Sequence, residues 1–172
     1  MEGFSEKERR IYNVNMFIAN NLWKIIVSGK DSKTKLREMV EELASFFNVE
    51  RCSLMLKDNK EFFCIFASKG LPSKIVKETR IKEGEGIAGL AIKEKKAIFM
   101  KKVGILVNKK DYASYQSDNL ISYPIEIDKE IIGVLNITDK RDDLSLTEKD
   151  VESIKPILDR IKFVLKDLRE GV

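Results

Sequence analysis

Any chemistry this chain performs is done without imidazole, because no histidine occurs among its 172 residues. A histidine-based triad, a histidine-ligated haem, a phosphoaccepting imidazole and an imidazole-ligated zinc site all lack their defining side chain. Only Cys52 and Cys64 carry thiols, too few for a four-thiolate zinc or iron–sulfur site within one chain. Both alternate with apolar neighbours, Leu54 and Leu56 beside Cys52, Phe62 and Phe66 beside Cys64, a setting in which a thiol stays protonated and inert. Neither a catalytic residue nor a metal ligand is expected.

Three other groupings point to binding. Gly84, Gly86 and Gly89 in the run GEGIAG permit positive φ and close backbone approach. They stand directly before a predicted helix whose free N–H groups and dipole favour an anion or a polar group. Without a P-loop lysine or a Rossmann setting, the same glycines serve equally well as a tight turn made for packing. Residues 93 to 110 hold seven lysines and one glutamate, so this stretch alone carries +6 against +4 for the whole chain. Such a patch concentrates anionic ligands when it borders a pocket, and otherwise is a solvated face of the kind common in Lys/Glu-rich proteins. It lacks the arginines and interleaved aromatics of a nucleic-acid surface. Tyr112 and Tyr115, three apart in an otherwise patternless stretch, present rings and hydroxyls to a ligand or cover the edge of the core.

The elements that position these residues follow from periodicity. Phe4, Ile11, Val14, Phe17, Ile18, Leu22, Ile25 and Ile26 line one side of a long amphipathic helix, and Leu36 to Phe47 form a second apolar stripe after the caps of SGKDS. The period then falls to two. Cys52 to Leu56 and Phe62 to Phe66 form a hairpin across Asp58-Asn59, and Asn119 to Ile127 with Glu130 to Thr138 form another across Asp128-Lys129. Setting Leu54 opposite Phe62 places Cys52 opposite Cys64 on one face. Free thiols are expected there in a reducing cytoplasm, with a disulfide as the alternative. Ser145 and Glu148 frame a capping box for a last helix with an apolar stripe from Val151 to Leu168, kinked near Ile154 by Pro156.

Length and composition bound the whole. The chain suits one domain with an extension, and 43% hydrophobic with 35% charged residues supports a packed core under a solvated surface. The N-terminus has no signal-peptide pattern, and no run approaches the ~18 apolar residues of a membrane span, so a cytoplasmic, membrane-free protein is expected.

Four segments resemble the GAF domain family: ASKGLPSKIV at 67 to 76, GEGIAGLAIKEKKAI at 84 to 98, SYPIEIDKEIIGVLNITDK at 122 to 140 and LTEKDVESI at 146 to 154. They stand in the family's order and spacing. The resemblance implies an α+β fold: a central antiparallel sheet of five or six strands, with N- and C-terminal helices on one face and a ligand pocket on the other. Residues 1–30 are then an N-terminal amphipathic helix, read as a dimerisation element, and residues 31–170 the GAF-like domain. Pocket contacts implied by the matching motif and lid segments are Gly86, Ile87, Ala88, Tyr112, Tyr115, Ser122 and Tyr123.

Two branches of the family are disfavoured by particular residues. Cyclic-nucleotide-binding members carry Asn, Lys, Phe, Asp and Glu where this chain has Asp139, Lys140, Leu146, Asp150 and Val151. Only the lysine and the first acid match. Relatives that reduce free methionine sulfoxide need reactive cysteines near the pocket, and this chain has no cysteine after Cys64. The expectation is a non-enzymatic sensory or regulatory homodimer that binds a small molecule, anionic where the lysine patch borders the pocket, and acts on a separate output protein. No cofactor is named by any motif. The alternative is an interaction module whose pocket is filled by its own side chains.

Overall fold

Local sequence decides where the elements begin, and long-range pairing decides their register. The computed structural model describes residues 3–101, 119–141 and 144–171. In chain order these form α1 (Glu6–Phe17), a π-helical turn (Ile18–Leu22), α2 (Trp23–Ile26), α3 (Ser32–Phe46), β1 (Val49–Lys57), β2 (Phe63–Lys69), α4 (Ser73–Glu78), β3 (Arg80–Ile81), α5 (Gly86–Glu94), β4 (Ile98–Met100), β5 (Leu120–Ile127), β6 (Glu130–Lys140) and α6 (Glu148–Glu170). The strands make one sheet in the order β3-β2-β1-β6-β5-β4, and every neighbouring pair is antiparallel. This is the expected α+β architecture, with six strands.

Both hairpins form where alternation and turn residues placed them. Asp128 and Lys129 take φ of 52° and 67°, the left-handed pair that a two-residue hairpin turn requires. The register of the first hairpin differs from expectation. Cys64 pairs with Leu56 and Cys52 with Lys69, because a five-residue connection, 58–62, sets Lys57 opposite Phe63, and the bulge between Leu54 and Met55 shifts the ladder by one residue more. The two cysteines therefore lie four pairs apart, not opposite one another, and both are free.

One face of the sheet is covered by α1, α3 and α6, whose Phe17, Leu36, Leu43, Ile154, Ile157 and Leu165 share a core with Leu54, Ile121, Leu135 and Ile137. Full burial of one such side chain contributes ~1.5–3 kcal/mol. The N-terminal helix reaches this core through its π turn. In an unbroken α-helix Leu22 would be rotated about 140° from Phe17; the wider turn brings Leu22 to full burial beneath the same face. Phe17 also stacks on Phe46 of α3, with ring centroids 4.3 Å apart. Ile11 and Phe4, expected in the buried stripe, are instead about half exposed.

The last helix starts two residues later than expected. Thr147 is its cap, with the Asp150 carboxylate accepting from the Thr147 N–H at 2.7 Å. Leu146, just before the cap, is buried in the core beside Val151, the hydrophobic staple that fixes the entry angle of the chain. The helix runs unbroken across Pro156.

Burial pushes the Cys52 thiol up to about 12, whereas Cys64 is only half-buried, its Sγ 3.9 Å from Asp58 Oδ2. Alkylation of the native protein at neutral pH, followed by mass spectrometry, is expected to label Cys64 well before Cys52. Denatured, unreduced protein is expected to expose two thiols per chain; a count of zero contradicts this register.

Candidate functional site

The face of the sheet away from α6 carries polar residues at its centre. Ser53 on β1 pairs with Asn136 on β6, and Asn136 pairs with Ser122 on β5. Since cross-strand partners share a face, the three side chains make a row across the middle of the sheet. The Ser122 hydroxyl donates to Asn136 Oδ1 at 2.5 Å, and Asn136 Nδ2 lies 3.4 Å from Ser53 Oγ. Ser122 is 1% exposed, so its pairing satisfies a group that burial would otherwise penalise. One rank along, Arg51 faces Thr138, whose hydroxyl lies 3.2 Å from the Asn119 carbonyl oxygen and 3.2 Å from Asp139 Oδ1. One rank the other way, Met55 and Val134 are apolar and pack with Phe63 and Ile92.

The segment from Leu71 to Glu94 roofs this row. Gly84 and Gly86 have φ of 85° and 62°, conformations that favour glycine. A Cβ on Gly89 would sit 2.6 Å from the Lys82 carbonyl oxygen, so this residue serves close packing of α5 on its own lead-in. The turn is tied by Gly84 N–H to the Gly89 carbonyl at 2.8 Å and by Lys82 N–H to Glu85 Oε2 at 2.7 Å. Gly89 thus serves the packing role, and Gly86 lines the space below.

That space is a cavity of about 140 Å³ between roof and sheet. Met55, Ile65, Leu71, Ile75, Ile81 and Ile87 wall it; Arg51, Ser53, Thr79, Asn136 and Thr138 supply polar groups. Arg51 Nε forms an ion pair with Asp139 Oδ2 at 3.0 Å, the two side chains being 11% and 4% exposed. Asp139 reaches it from a left-handed backbone, φ 60°. Lys140 turns the other way to Asp150, 3.7 Å off, so the acidic residues flanking Lys140 have separate partners.

Of the residues singled out from sequence, Gly86, Ile87 and Ala88 line the cavity, and Ser122 lies behind it as the anchor of Asn136. Tyr123 does not belong to this site. Its position on β5 alternates with Ser122, so it packs on the helix-side core, where burial and then the Asp159 carboxylate raise its phenol above its ordinary value. Tyr112 and Tyr115 lie outside the described residues, as do Lys102, Lys109 and Lys110. Lys93, Lys95, Lys96 and Lys101 are described and do not line the cavity. Arg51, Ser53, Asn136 and Thr138 escaped sequence reading. Their signal was polar residues at alternate positions of strands that are otherwise apolar.

A family model of the GAF domain matches residues 31–163, and the chain belongs to the GAF domain family. Solved structures with the same fold include the GAF domain of a phosphoenolpyruvate-protein phosphotransferase from Coxiella burnetii, 17% identical over 97% of this chain and 99% of that one, TM-score 0.78. The nlh2 GAF domain of A. aeolicus, in an inactive state, is 24% identical over 95% and 98%, TM-score 0.72. Free methionine-R-sulfoxide reductase from Neisseria meningitidis, in complex with its substrate, is 18% identical over 98% and 97%, TM-score 0.78. No curated protein matches the chain in sequence.

Ser122→Ala removes the partner of Asn136 Oδ1 inside the sheet. The variant is expected to fold and to lose about 1–3 kcal/mol, the usual cost of an unsatisfied buried acceptor. Urea unfolding with an unchanged m-value checks this.

Proposed function

We propose that the chain is a non-enzymatic sensory or regulatory module that holds a small molecule between the sheet and α5. The observation that carries this reading is the cavity itself, apolar-walled with a few convergent polar groups and roofed by the family's GEGIAG turn. Its volume compares with the ~150 Å³ cavity known to take up benzene. A cyclic nucleotide is far larger, which agrees with the mismatched positions Asp139, Leu146 and Val151.

The non-enzymatic part rests on the side chains present. The fold is shared with methionine-R-sulfoxide reductases, but Cys52 packs in the helix-side core with its thiol pushed up to about 12. Cys64 sits beside Asp58, at the hairpin turn. Cys52 borders the cavity but its side chain is buried in the helix-side core, and Cys64 does not line it.

Signalling through a homodimer is the second part of the proposal. Phe4, Ile11, Tyr12, Met16, Trp23 and Val27 of the N-terminal helical region, with Phe163 of α6, are large apolar residues left exposed. A second copy would bury such a surface. No helix among the described residues is long and apolar enough to cross a membrane, which fits action in the cytoplasm on a separate output protein.

Thermal-shift screening of compounds with up to about ten non-hydrogen atoms is expected to find one that raises Tm. A ligand at about 100 times its Kd adds ~2.7 kcal/mol, several degrees for a chain of this length. If no compound shifts Tm and native mass spectrometry finds no retained molecule, the pocket reading fails and an interaction-only module remains. Light scattering is expected to give a dimer mass at tens of micromolar, lost on removal of residues 1 to 28.

A further inference from the structure

Among the described residues, the cavity's one cationic side chain is Arg51. Arg51 is only 11% exposed, and its Nε forms an ion pair with Asp139 Oδ2 at 3.0 Å. A guanidinium presents five N–H donors in a rigid fork, more than one carboxylate oxygen can take up, and this fork lies at the wall of a largely apolar space. A purely structural pair has no need of a cavity-lining position.

The neighbouring strand adds a second donor. Asn136 lies diagonally across from Arg51, since Arg51 pairs with Thr138 two residues further on, and such diagonals are roughly 7–8 Å apart. The Ser122 hydroxyl occupies Asn136 Oδ1, which orients the amide so that Nδ2 is the end toward Ser53 and the cavity. Donors thus converge from two adjacent strands. Beside them stand hydrocarbon walls, Met55, Ile65, Ile75 and Ile81. Glu85 also lines the cavity, with its carboxylate turned back onto the Lys82 N–H.

We infer that this site selects a small monocarboxylate with a short hydrocarbon group, of about six to nine non-hydrogen atoms by comparison with the benzene-sized cavity. This rests on the reading of the cavity as a ligand pocket. Arg51 reads the charge through its Nη edge; Asp139 positions the guanidinium and keeps the empty site electrically balanced. Asn136 donates a further hydrogen bond. Recognition is by contact in a water-poor space, so it differs from attraction by a lysine rim: affinity is expected to depend only weakly on salt.

The test uses the full chain and matched acid and amide pairs, isovalerate with isovaleramide and benzoate with benzamide, in calorimetric titrations at pH 7. The expected result is at least about tenfold tighter binding of an acid than of its amide. Arg51→Met is expected to abolish the difference. Because that variant removes the cation paired with Asp139, the pair Arg51→Met with Asp139→Asn is measured alongside, its folding checked by circular dichroism. Amides or other neutral compounds binding as well as the acids overturns the carboxylate assignment and leaves the pocket reading standing. So does acid preference surviving in the folded double variant. Failure of acids, amides and every other small compound overturns both.

Discussion

Strand β1 lies between β2 and β6, and its antiparallel ladder with β6 runs from Val49 opposite Lys140 to Leu56 opposite Gly133. This ladder joins the two hairpins of the chain into one sheet, and each functional juxtaposition described above depends on it. Ser53 meets Asn136, and Arg51 meets Thr138, only in this register; a slip of one residue would turn every side chain of β1 to the other face. Gly133 is part of the constraint, because a Cβ there would lie 2.5 Å from the Met55 carbonyl oxygen. Only backbone without a side chain lets the strands approach as they do.

The two faces of the sheet then diverge in chemistry. The helix side is closed by aliphatic packing and contributes most of the apolar burial. On the other side the apolar contacts fall into two smaller clusters, one around Met55 and Val134 and one of Ile87 with Leu120. The polar row of Ser53, Asn136 and Ser122 crosses the sheet on this less densely packed face. A sheet needs one fully buried face for stability, which leaves its other face available for polar groups that a ligand can read.

Burial and charge are balanced against each other at the edge of that row. Isolated, either Arg51 or Asp139 would be too costly to bury; together they are tolerated, although a buried pair is weak evidence for stability. The ion pairs that tie α1 to α6, Arg10 with Glu152 and Lys149 with Glu6, are exposed and contribute little by comparison. The N-terminal helical region is held chiefly by Val14, Phe17 and Leu22.

Much of this was legible in the chain itself. Period-two alternation located both hairpins, the Asp128-Lys129 turn had the residues its left-handed backbone needs, and apolar stripes located the long helices. These are local patterns, set within a few residues, and the family motifs lie in the same segments. The GEGIAG glycines, and with them Gly86, Ile87 and Ala88 of the cavity lining, were readable for the same reason. What the chain did not disclose was every feature that depends on partners distant in sequence. The five-residue connection 58–62, with the bulge after Leu54, broke the simple sum that set Cys52 opposite Cys64. The strand alternation put Tyr123 under α6 while Ser122 faced the pocket side. The pairing of Arg51 with Asp139 arises from a ladder between opposite ends of the domain, and local periodicity carries no information about which strand will be the neighbour. Tertiary structure decided the site because the site is made of side chains that only the β1–β6 ladder brings together.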